Sequence, residues 1–158
     1  MYNVIIHIDV SVDSKRVIIR SKYNLLIIIF MSHFSHIQTS FQNLFYLEKA
    51  LSKLNINFEK ERKVMDDSKS YQTNLVIPQS NGYNLEFSWN EQEYELITDL
   101  AFWNQESPVE TFVDKISQEY AGQVIIGESQ KIGFQPVKYQ QNNDGSQTLV
   151  LERWNTGG

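Results

Sequence analysis

Two alternating runs of apolar and polar residues lie close together between residues 83 and 100, and they constrain the fold more than any other feature. The first run places Tyr83, Leu85, Phe87 and Trp89 on one side of a strand. The second sets Tyr94, Leu96, Thr98 and Leu100 against Glu93, Glu95, Ile97 and Asp99. A period of two with aromatic and branched residues is typical of half-buried strands. The polar residues between the runs therefore predict a hairpin at the centre of an antiparallel sheet.

Two other segments show helical periodicity, and each begins with a capping signal. Thr39 followed by Gln42 forms a capping box, which predicts a first helix that ends near Asn55. Residues 107–108 are Ser and Pro, and they predict the start of a second, longer helix that Gly133 closes.

Shorter runs predict the remaining strands, at residues 32–38, 58–63, 73–77, 134–141 and 147–154. The last two form a hairpin about Asn143-Asp144-Gly145. Short connections between neighbouring strands favour antiparallel pairing. The sequence therefore predicts an α+β fold: a mostly antiparallel sheet with two helices packed on one face.

The composition narrows the classes of function. The chain has 158 residues, no cysteine and a net charge of −5 at pH 7. The absence of cysteine excludes disulfides, thiolate zinc sites and self-ligated iron–sulfur clusters. An acidic chain repels phosphate backbones, so we expect no nucleic-acid partner. We also expect no cofactor, since phosphate-cradling and dinucleotide motifs are absent.

Residues 1–30 differ from the rest of the chain. They hold four basic and two acidic residues, whereas acidic residues predominate in residues 31–158. The apolar run that begins in this segment and ends at Met31, residues 25–31, is far shorter than the roughly 20 residues of a membrane-spanning helix. We therefore expect no membrane span. Met31 offers a second start, and we hypothesise that residues 1–30 are read through from an upstream frame while residues 31–158 form one domain. The strand-like alternation of residues 4–12 is evidence against this hypothesis.

Two histidines, His33 and His36, are the first candidates for chemistry, as ligands of a metal ion. On a strand, residues three apart point to opposite faces, which is wrong for a single ion. No further ligand cluster accompanies them. We therefore expect no metal site and interpret both as surface or half-buried side chains beside the first helix.

Three carboxylates share one face of the second predicted strand: Glu93, Glu95 and Asp99. They have the chemistry for acid–base catalysis or for binding a divalent cation. The alternative is the solvated face of an antiparallel sheet, which routinely carries such charges. Because no nucleophile, histidine or glycine-rich loop accompanies them, we favour the solvated face.

The three tryptophans are candidates for the core or for contact with a partner. Trp89 and Trp154 end predicted strands, and we assign Trp89 to the core. Trp103 lies in the loop before the second helix, beside Asn104 and Gln105, and we predict that it contacts a partner.

Several separated motifs resemble one known family. They are Met31-Ser-His-Phe-Ser, Gly82-Tyr83, Phe87-Ser88-Trp89-Asn90, Tyr94-Glu95-Leu96, Asp99-Leu100, Gly133-Phe134 and a final segment that ends in Arg153-Trp154. In this order they resemble the hypothetical chloroplast frame thirty-five (Ycf) family, short proteins encoded in algal plastid genomes and in cyanobacteria. The resemblance covers residues 31 to about 155. It implies a soluble protein of the plastid (chloroplast) stroma, with no agreed catalytic residues.

Two functions remain open. The first is a non-enzymatic module that binds a stromal protein partner in assembly or regulation. The second is a small-ligand-binding or enzymatic domain, with a pocket between helices and sheet lined by Tyr83, Trp89, Tyr94 and Tyr120 and with Glu95 or Asp99 as acid and base. An exposed apolar patch around Trp103 favours the first, and a cavity with inward-turned carboxylates favours the second. We favour the first, and the candidate contacts are Trp103, Tyr83, Trp89, Tyr94, Glu95 and Asp99.

Overall fold

A computed structural model describes residues 2–10, 12–13, 16–17, 34–64 and 71–155 of the protein. The chain divides into two units, Asn24–Ile116 and a second unit that combines Met1–Tyr23 with Ser117–Gly158. We call them the five-stranded unit and the three-stranded unit, after the largest sheet in each.

The secondary structure alternates short strands with two helices. In chain order the elements are β1 (Tyr2–Val10), β2 (Val12–Asp13), β3 (Arg16–Val17), β4 (Ser35–Ile37), α1 (Leu44–Lys53), β5 (Glu59–Val64), β6 (Tyr71–Ile77), β7 (Leu85–Trp89), β8 (Tyr94–Thr98), a 3-10 helix (Leu100–Phe102), α2 (Val109–Lys131), β9 (Gln135–Gln141) and β10 (Gln147–Asn155). Helix α2 begins in the five-stranded unit and continues, from Ser117 on, in the three-stranded unit.

The five-stranded unit contains an antiparallel sheet in the order β4-β8-β7-β6-β5. Its central strands bury alternate apolar residues, as the sequence predicts for this hairpin. Phe87 lies between Leu75 of β6 and Leu96 of β8, and all three side chains are fully buried. Burying a side chain of this size contributes roughly 1.5–3 kcal/mol. The apolar face of β6, β7 and β8 therefore contributes to the stability of this unit, together with the buried residues of α1.

Helix α1 begins later than the sequence predicts. Its N-cap is Asn43, whose Oδ1 accepts hydrogen bonds from the backbone N of Phe45 (3.0 Å) and of Tyr46 (3.4 Å). The predicted capping box of Thr39 and Gln42 is wrong. The hydroxyl of Thr39 instead accepts a hydrogen bond from the backbone N of Phe41 (3.0 Å), which lies before α1, and donates to the backbone O of Tyr94 in β8 (2.6 Å).

Both helices end where the sequence predicts, at a residue in the left-handed conformation. Asn55 has φ 55° and Gly133 has φ 87°. After Gly133, the backbone N of Phe134 donates to the backbone O of Ser129 at 3.0 Å, which closes the end of α2. The two predicted helix ends are confirmed.

The three-stranded unit contains an antiparallel sheet in the order β1-β10-β9 and a short β2-β3 pair. The predicted terminal hairpin of β9 and β10 is confirmed, and β1 pairs with β10 along its whole length. A small core forms where Phe134, Leu149 and Leu151 pack with Ile125 and Ile126. Met31 lies outside the described residues, and the division of the chain at that residue stays a prediction.

The predicted α+β class, with two helices and antiparallel strands, is confirmed. The antiparallel pairs are distributed over three sheets: the five-stranded sheet, the sheet in which β9 and β10 pair with β1, and the short β2-β3 pair. Alternation in a sequence identifies a strand and its local hairpin partner, but it carries no information about pairing between distant strands.

We expect Gly133→Ala to destabilise the three-stranded unit by about 1–2 kcal/mol, because an L-residue is disfavoured in the left-handed region. The added Cβ would also lie 3.4 Å from Arg153 Cδ. Gly122→Ala is the matched control in the interior of α2, where the new Cβ meets only Gln147 Oε1 at 3.8 Å. It should stabilise the helix by about 0.5–1 kcal/mol. Urea unfolding measures both effects, and two changes of the same sign contradict the prediction.

Candidate functional site

Two loops of the five-stranded unit, one before β7 and one after β8, are joined by the buried side chain of Gln79. Its Oε1 accepts hydrogen bonds from the backbone N of Asn104 (2.8 Å) and from Gln105 Nε2 (3.1 Å). Its Nε2 donates to the backbone oxygens of Tyr83 and Phe102. Three of these four hydrogen bonds connect the two loops, and the fourth, to Tyr83, lies within the loop that contains Gln79. A single amide therefore holds the two loops in one arrangement.

The connected loops present a stacked aromatic pair to solvent. The rings of Tyr83 and Phe102 are parallel within 3°, with centroids 3.8 Å apart. Tyr83 is 49% exposed and Phe102 is 39% exposed, and Leu100 of the same 3-10 helix is 43% exposed. Exposed apolar side chains that cluster in this way mark interaction surfaces more often than scattered ones do. We call Tyr83, Leu100 and Phe102 the loop patch.

Trp103, the predicted contact residue, directly follows this patch in sequence and is half-buried. Its Nε1 donates to the backbone O of Ser107 at 2.9 Å. Its ring makes an edge contact with Phe112 at a centroid distance of 5.3 Å. Trp103 thus supports the start of α2, while its neighbour Phe102 presents its ring to solvent.

Trp89 and Tyr94, two further candidates, lie together at the turn of the β7–β8 hairpin. Their ring centroids are 5.1 Å apart and the rings are tilted by 54°. Both line an open groove of about 380 Å³, together with Gln42, Leu44, Tyr71, Gln72 and Thr73. We call this the aromatic groove. The candidate Tyr83 belongs to the loop patch instead. The aromatic residues that were predicted to line one pocket therefore lie in two separate surfaces, the aromatic groove and the loop patch.

The two predicted acid–base residues have separate local partners. Glu95 Oε2 lies 3.0 Å from His36 Nδ1, and Glu95 Oε1 accepts a hydrogen bond from Asn90 Nδ2. Asp99 Oδ1 accepts a hydrogen bond from the backbone N of Ala101 at 3.0 Å and caps the 3-10 helix. Neither carboxylate is among the residues that line the aromatic groove.

Glu93 attaches the segment before α1 to β8. Its Oε1 accepts a hydrogen bond from the backbone N of Thr39 (3.1 Å), and its Oε2 accepts one from the backbone N of Ser40 (2.9 Å). Ser40 has φ 81°, which L-residues seldom adopt. Burial raises the pKa of Glu93; the Thr39 hydrogen bond opposes this shift, and the charge of Glu95 adds to it.

One buried carboxylate, in the three-stranded unit, was not predicted from the sequence. Glu119 is 3% exposed and accepts hydrogen bonds from Tyr139 Oη (3.1 Å) and Gln123 Nε2 (2.8 Å). Burial and the nearby charge of Glu119 raise the pKa of Tyr139. The helical periodicity of the sequence could have predicted its burial. Glu119 lies seven residues after Phe112 and therefore on the same, buried face of α2. Gln79 lies in a loop and Phe102 ends a 3-10 helix of three residues, and neither segment is long enough to show a periodicity.

In the described part of the chain, no three His, Cys, Asp or Glu side chains lie close enough together to bind a metal ion. His33 lies outside the described residues, and His36 contacts Glu95. Among the described helices, none is long and apolar enough to cross a membrane.

Comparison with known proteins identifies similar chains. Residues 50–150 match the family model described as protein of unknown function (DUF1257). The chain is 61% identical over 124 residues to the uncharacterized protein ycf35 of Trieres chinensis, covering 77% of this chain and 97% of that protein. It is 39% identical over 126 residues to the protein of the same name from Guillardia theta, covering 78% of this chain and 98% of that one. No solved structure matches the chain significantly.

We expect Gln79→Leu to destabilise the five-stranded unit by about 1–3 kcal/mol, because it removes all four hydrogen bonds made by the buried Gln79 amide. Hydrogen exchange at the Asn104 amide should become faster in the same variant. Gln105→Leu is the matched control, since it removes just one of the four bonds to Gln79, and it should cost about 1 kcal/mol or less. Equal effects of the two variants on urea unfolding contradict the role assigned to Gln79.

The raised pKa of Glu93 predicts a pH dependence of stability. When the pKa of a group is higher in the folded state than in the unfolded state, its contribution to the free energy of unfolding is complete at a pH below the unfolded-state pKa, here 4.5. That contribution is lost as the pH rises through the folded-state pKa. Relative to Glu93→Gln, which does not titrate, the wild-type free energy of unfolding should therefore fall as the pH rises above 4.5. Urea unfolding across this window measures the difference. Glu106→Gln, at an exposed position, controls for the loss of one charge, and a rising or flat difference contradicts the prediction.

Proposed function

This chain belongs to the family of the ycf35 proteins, and we propose that it is a non-enzymatic module that binds a protein partner through the loop patch. The relatives confirm the family resemblance seen in the sequence. The observation that carries the proposal is the stacked pair of Tyr83 and Phe102, two aromatic side chains exposed on connected loops.

The composition of the loop patch and its surroundings fits a protein interface. Tyr and Phe are enriched at the centres of such interfaces, and polar residues form the rim. Around the patch, Asn81 Nδ2 donates to the backbone O of Phe102 at 2.7 Å, and Asn104 Nδ2 donates to Ser80 Oγ at 2.8 Å. An apolar centre with a polar surround supports binding to a protein.

The rigidity of the two loops supports the same proposal. Gln79 bonds to both loops, and Asn81 Oδ1 accepts a hydrogen bond from the backbone N of Tyr83 at 3.1 Å. Binding costs free energy when side chains and loops must first be ordered. A stacked pair on loops that are already ordered loses little further entropy, so more of its apolar contact contributes to affinity.

The non-enzymatic part of the proposal is supported by how the candidate carboxylates are used. Glu95 contacts His36 and Asn90, and Asp99 caps a helix. General acid–base catalysis requires a carboxylate within hydrogen-bond reach of a substrate held in a pocket. Each of these groups instead has a local structural partner.

We infer that the protein acts in the plastid stroma and that its partner is another stromal protein. The support is the resemblance to proteins encoded in plastid genomes, which is strengthened by the named relatives. We propose no nucleic-acid partner, because the net charge of −5 opposes binding to phosphate backbones.

A second candidate function is binding of a small ligand, with or without catalysis. The aromatic groove favours it, because Trp89 and Tyr94 both line this open cavity, whose volume is about 380 Å³. Ligand pockets of this size combine apolar walls with a few polar groups. The predicted lining residue Tyr120 belongs to the three-stranded unit, and the predicted acid–base groups have the partners described above.

We expect Phe102→Ser to weaken capture of a stromal partner by about tenfold or more, because loss of an aromatic anchor costs about 2 kcal/mol or more at an interface hot spot. The protein, bearing an affinity tag, is incubated with plastid stroma, and bound proteins are quantified by mass spectrometry. Tyr83→Ser should have the same effect. Trp154→Ser is the control, since Trp154 is 60% exposed and belongs to the three-stranded unit. Equal capture by all variants, or the absence of any captured protein, contradicts the proposal.

A further inference from the structure

Asn81 and Gly82 form the only Asn-Gly pair in the sequence. Both residues are exposed and lie in the loop before β7. Gly82 has φ 81°, and a Cβ built on it would have no heavy atom within 4 Å. The space that a side chain would take at residue 82 is therefore empty, and the backbone of Gly82 is open to close approach by a neighbouring group.

The side chain of Asn81 is folded back towards this backbone. Its Oδ1 accepts a hydrogen bond from the backbone N of Tyr83 at 3.1 Å, which forms a turn of the Asx type over Gly82. A donor at Oδ1 also stabilises the negative charge that develops on this oxygen when a nucleophile attacks Cγ. The Asn81 amide is thus both turned towards the main chain of Gly82 and polarised for attack.

The chemistry that joins these two groups is deamidation. The backbone N of Gly82 forms a bond to Asn81 Cγ and the Cγ–Nδ2 bond breaks. Nδ2 then leaves as ammonia, with the proton that the Gly82 nitrogen gives up. Water opens the resulting succinimide ring at either of its two carbonyl groups and leaves aspartate or isoaspartate at position 81. The net change replaces a neutral amide by a carboxylate.

The atom that this reaction removes joins the two loops. Asn81 Nδ2 donates to the backbone O of Phe102 at 2.7 Å. In the aspartate product an acceptor-only oxygen would face this carbonyl oxygen, so the attraction becomes a repulsion. The Phe102 oxygen keeps the longer bond from Gln79 Nε2, at 3.4 Å. Deamidation therefore loosens the contact between the loops and adds a negative charge beside the stacked pair of Tyr83 and Phe102.

We propose that Asn81 is a site of spontaneous deamidation and that the reaction weakens the loop patch by separating Phe102 from Tyr83. The effect on partner binding rests on the proposed function of the loop patch, whereas the chemistry and the loss of ring contact do not. Because the reaction needs only water and runs in one direction, its extent increases with the age of the molecule.

The fold limits the rate of this reaction. The backbone N of Gly82 donates to the backbone O of Gln79 at 3.0 Å. While this bond is made, the Gly82 nitrogen is held in the turn, so the reaction proceeds from molecules in which the turn has opened locally. Gln79→Leu removes the side-chain bonds that hold the two loops and should therefore speed deamidation of Asn81 severalfold.

The first test measures the rate in the full chain, incubated at neutral pH and physiological temperature. Mass spectrometry of peptides quantifies the conversion of each asparagine. Asn90 is the internal control: it is exposed and its Oδ1 accepts a bond from the backbone N of Gln92 (3.0 Å) in the same type of turn, but Glu91 follows it. We expect deamidation at Asn81 to be about tenfold faster or more, because glycine alone allows the close approach.

A variant at position 82 verifies the role of the glycine. Gly82→Asn fits the open space there, and asparagine tolerates the left-handed conformation. It should lower the rate at Asn81 to about that of Asn90. Equal wild-type rates at Asn81 and Asn90, or an unchanged rate in Gly82→Asn, overturn the assignment of the site.

The second test uses Asn81→Asp, which reproduces one product of the reaction. We expect the nuclear Overhauser contacts between the Tyr83 and Phe102 rings to weaken, and capture of the stromal partner to fall by about threefold or more, the equivalent of one lost hydrogen bond. Asn104→Asp is the matched control. It adds the same charge to the adjoining loop, but its partner, the Ser80 hydroxyl, can donate to the new carboxylate. Ring contacts that persist in Asn81→Asp, or that weaken equally in both variants, overturn the structural effect.

The outcomes separate this proposal from the proposed function. If Asn81 deamidates and the ring contact is lost while the wild-type protein captures no stromal partner, the modification site is confirmed and the binding function is contradicted. If Phe102→Ser abolishes capture while Asn81→Asp retains both the ring contact and the capture, the loop patch binds the partner and its weakening by deamidation is wrong.

Discussion

The structure of the five-stranded unit depends on the burial of one face of its three central strands. Leu75, Phe87 and Leu96 lie side by side and are fully buried. Because side chains on a strand alternate, this burial also determines which residues lie on the other face, among them Glu86 and Glu95. A shift of register by one residue would exchange the two faces, so the apolar contacts specify the register as well as the stability.

Polar side chains at the ends of these strands position the rest of the unit. Glu93 holds the segment before α1 through two backbone N–H groups, and Gln79 holds the loops on either side of the hairpin through four hydrogen bonds. A buried polar group contributes to stability only when its hydrogen bonds are made, so each of these side chains selects one arrangement of the backbone around it. The candidate functional surfaces follow from this arrangement. Gln79 fixes the backbone that carries Tyr83 and Phe102, and the turn that leads to Glu93 brings Trp89 next to Tyr94.

The loop patch and the aromatic groove differ in chemistry. The loop patch is apolar and rigid, which suits a contact that gains affinity from burial. The aromatic groove is open and is lined by aromatic rings and neutral polar residues. Acidic side chains outnumber basic ones by 19 to 14, and two of them have local structural partners: Glu95 contacts His36, and Asp99 caps the 3-10 helix.

The sequence alone determined the elements whose signals are local. Alternation identified β7 and β8, and the left-handed residues Asn55 and Gly133 marked the helix ends, because these features depend on neighbours a few residues away. The family, too, was readable from short motifs in order. What the tertiary structure decided are contacts between residues far apart in the chain. Helix α1 begins only after Asn43, and the hydroxyl of Thr39 donates to a backbone oxygen 55 residues later. Gln79 bonds to Asn104, 25 residues later. No periodicity encodes such pairs, so the exposed position of Phe102 and the half-buried position of Trp103 became visible only in the folded chain.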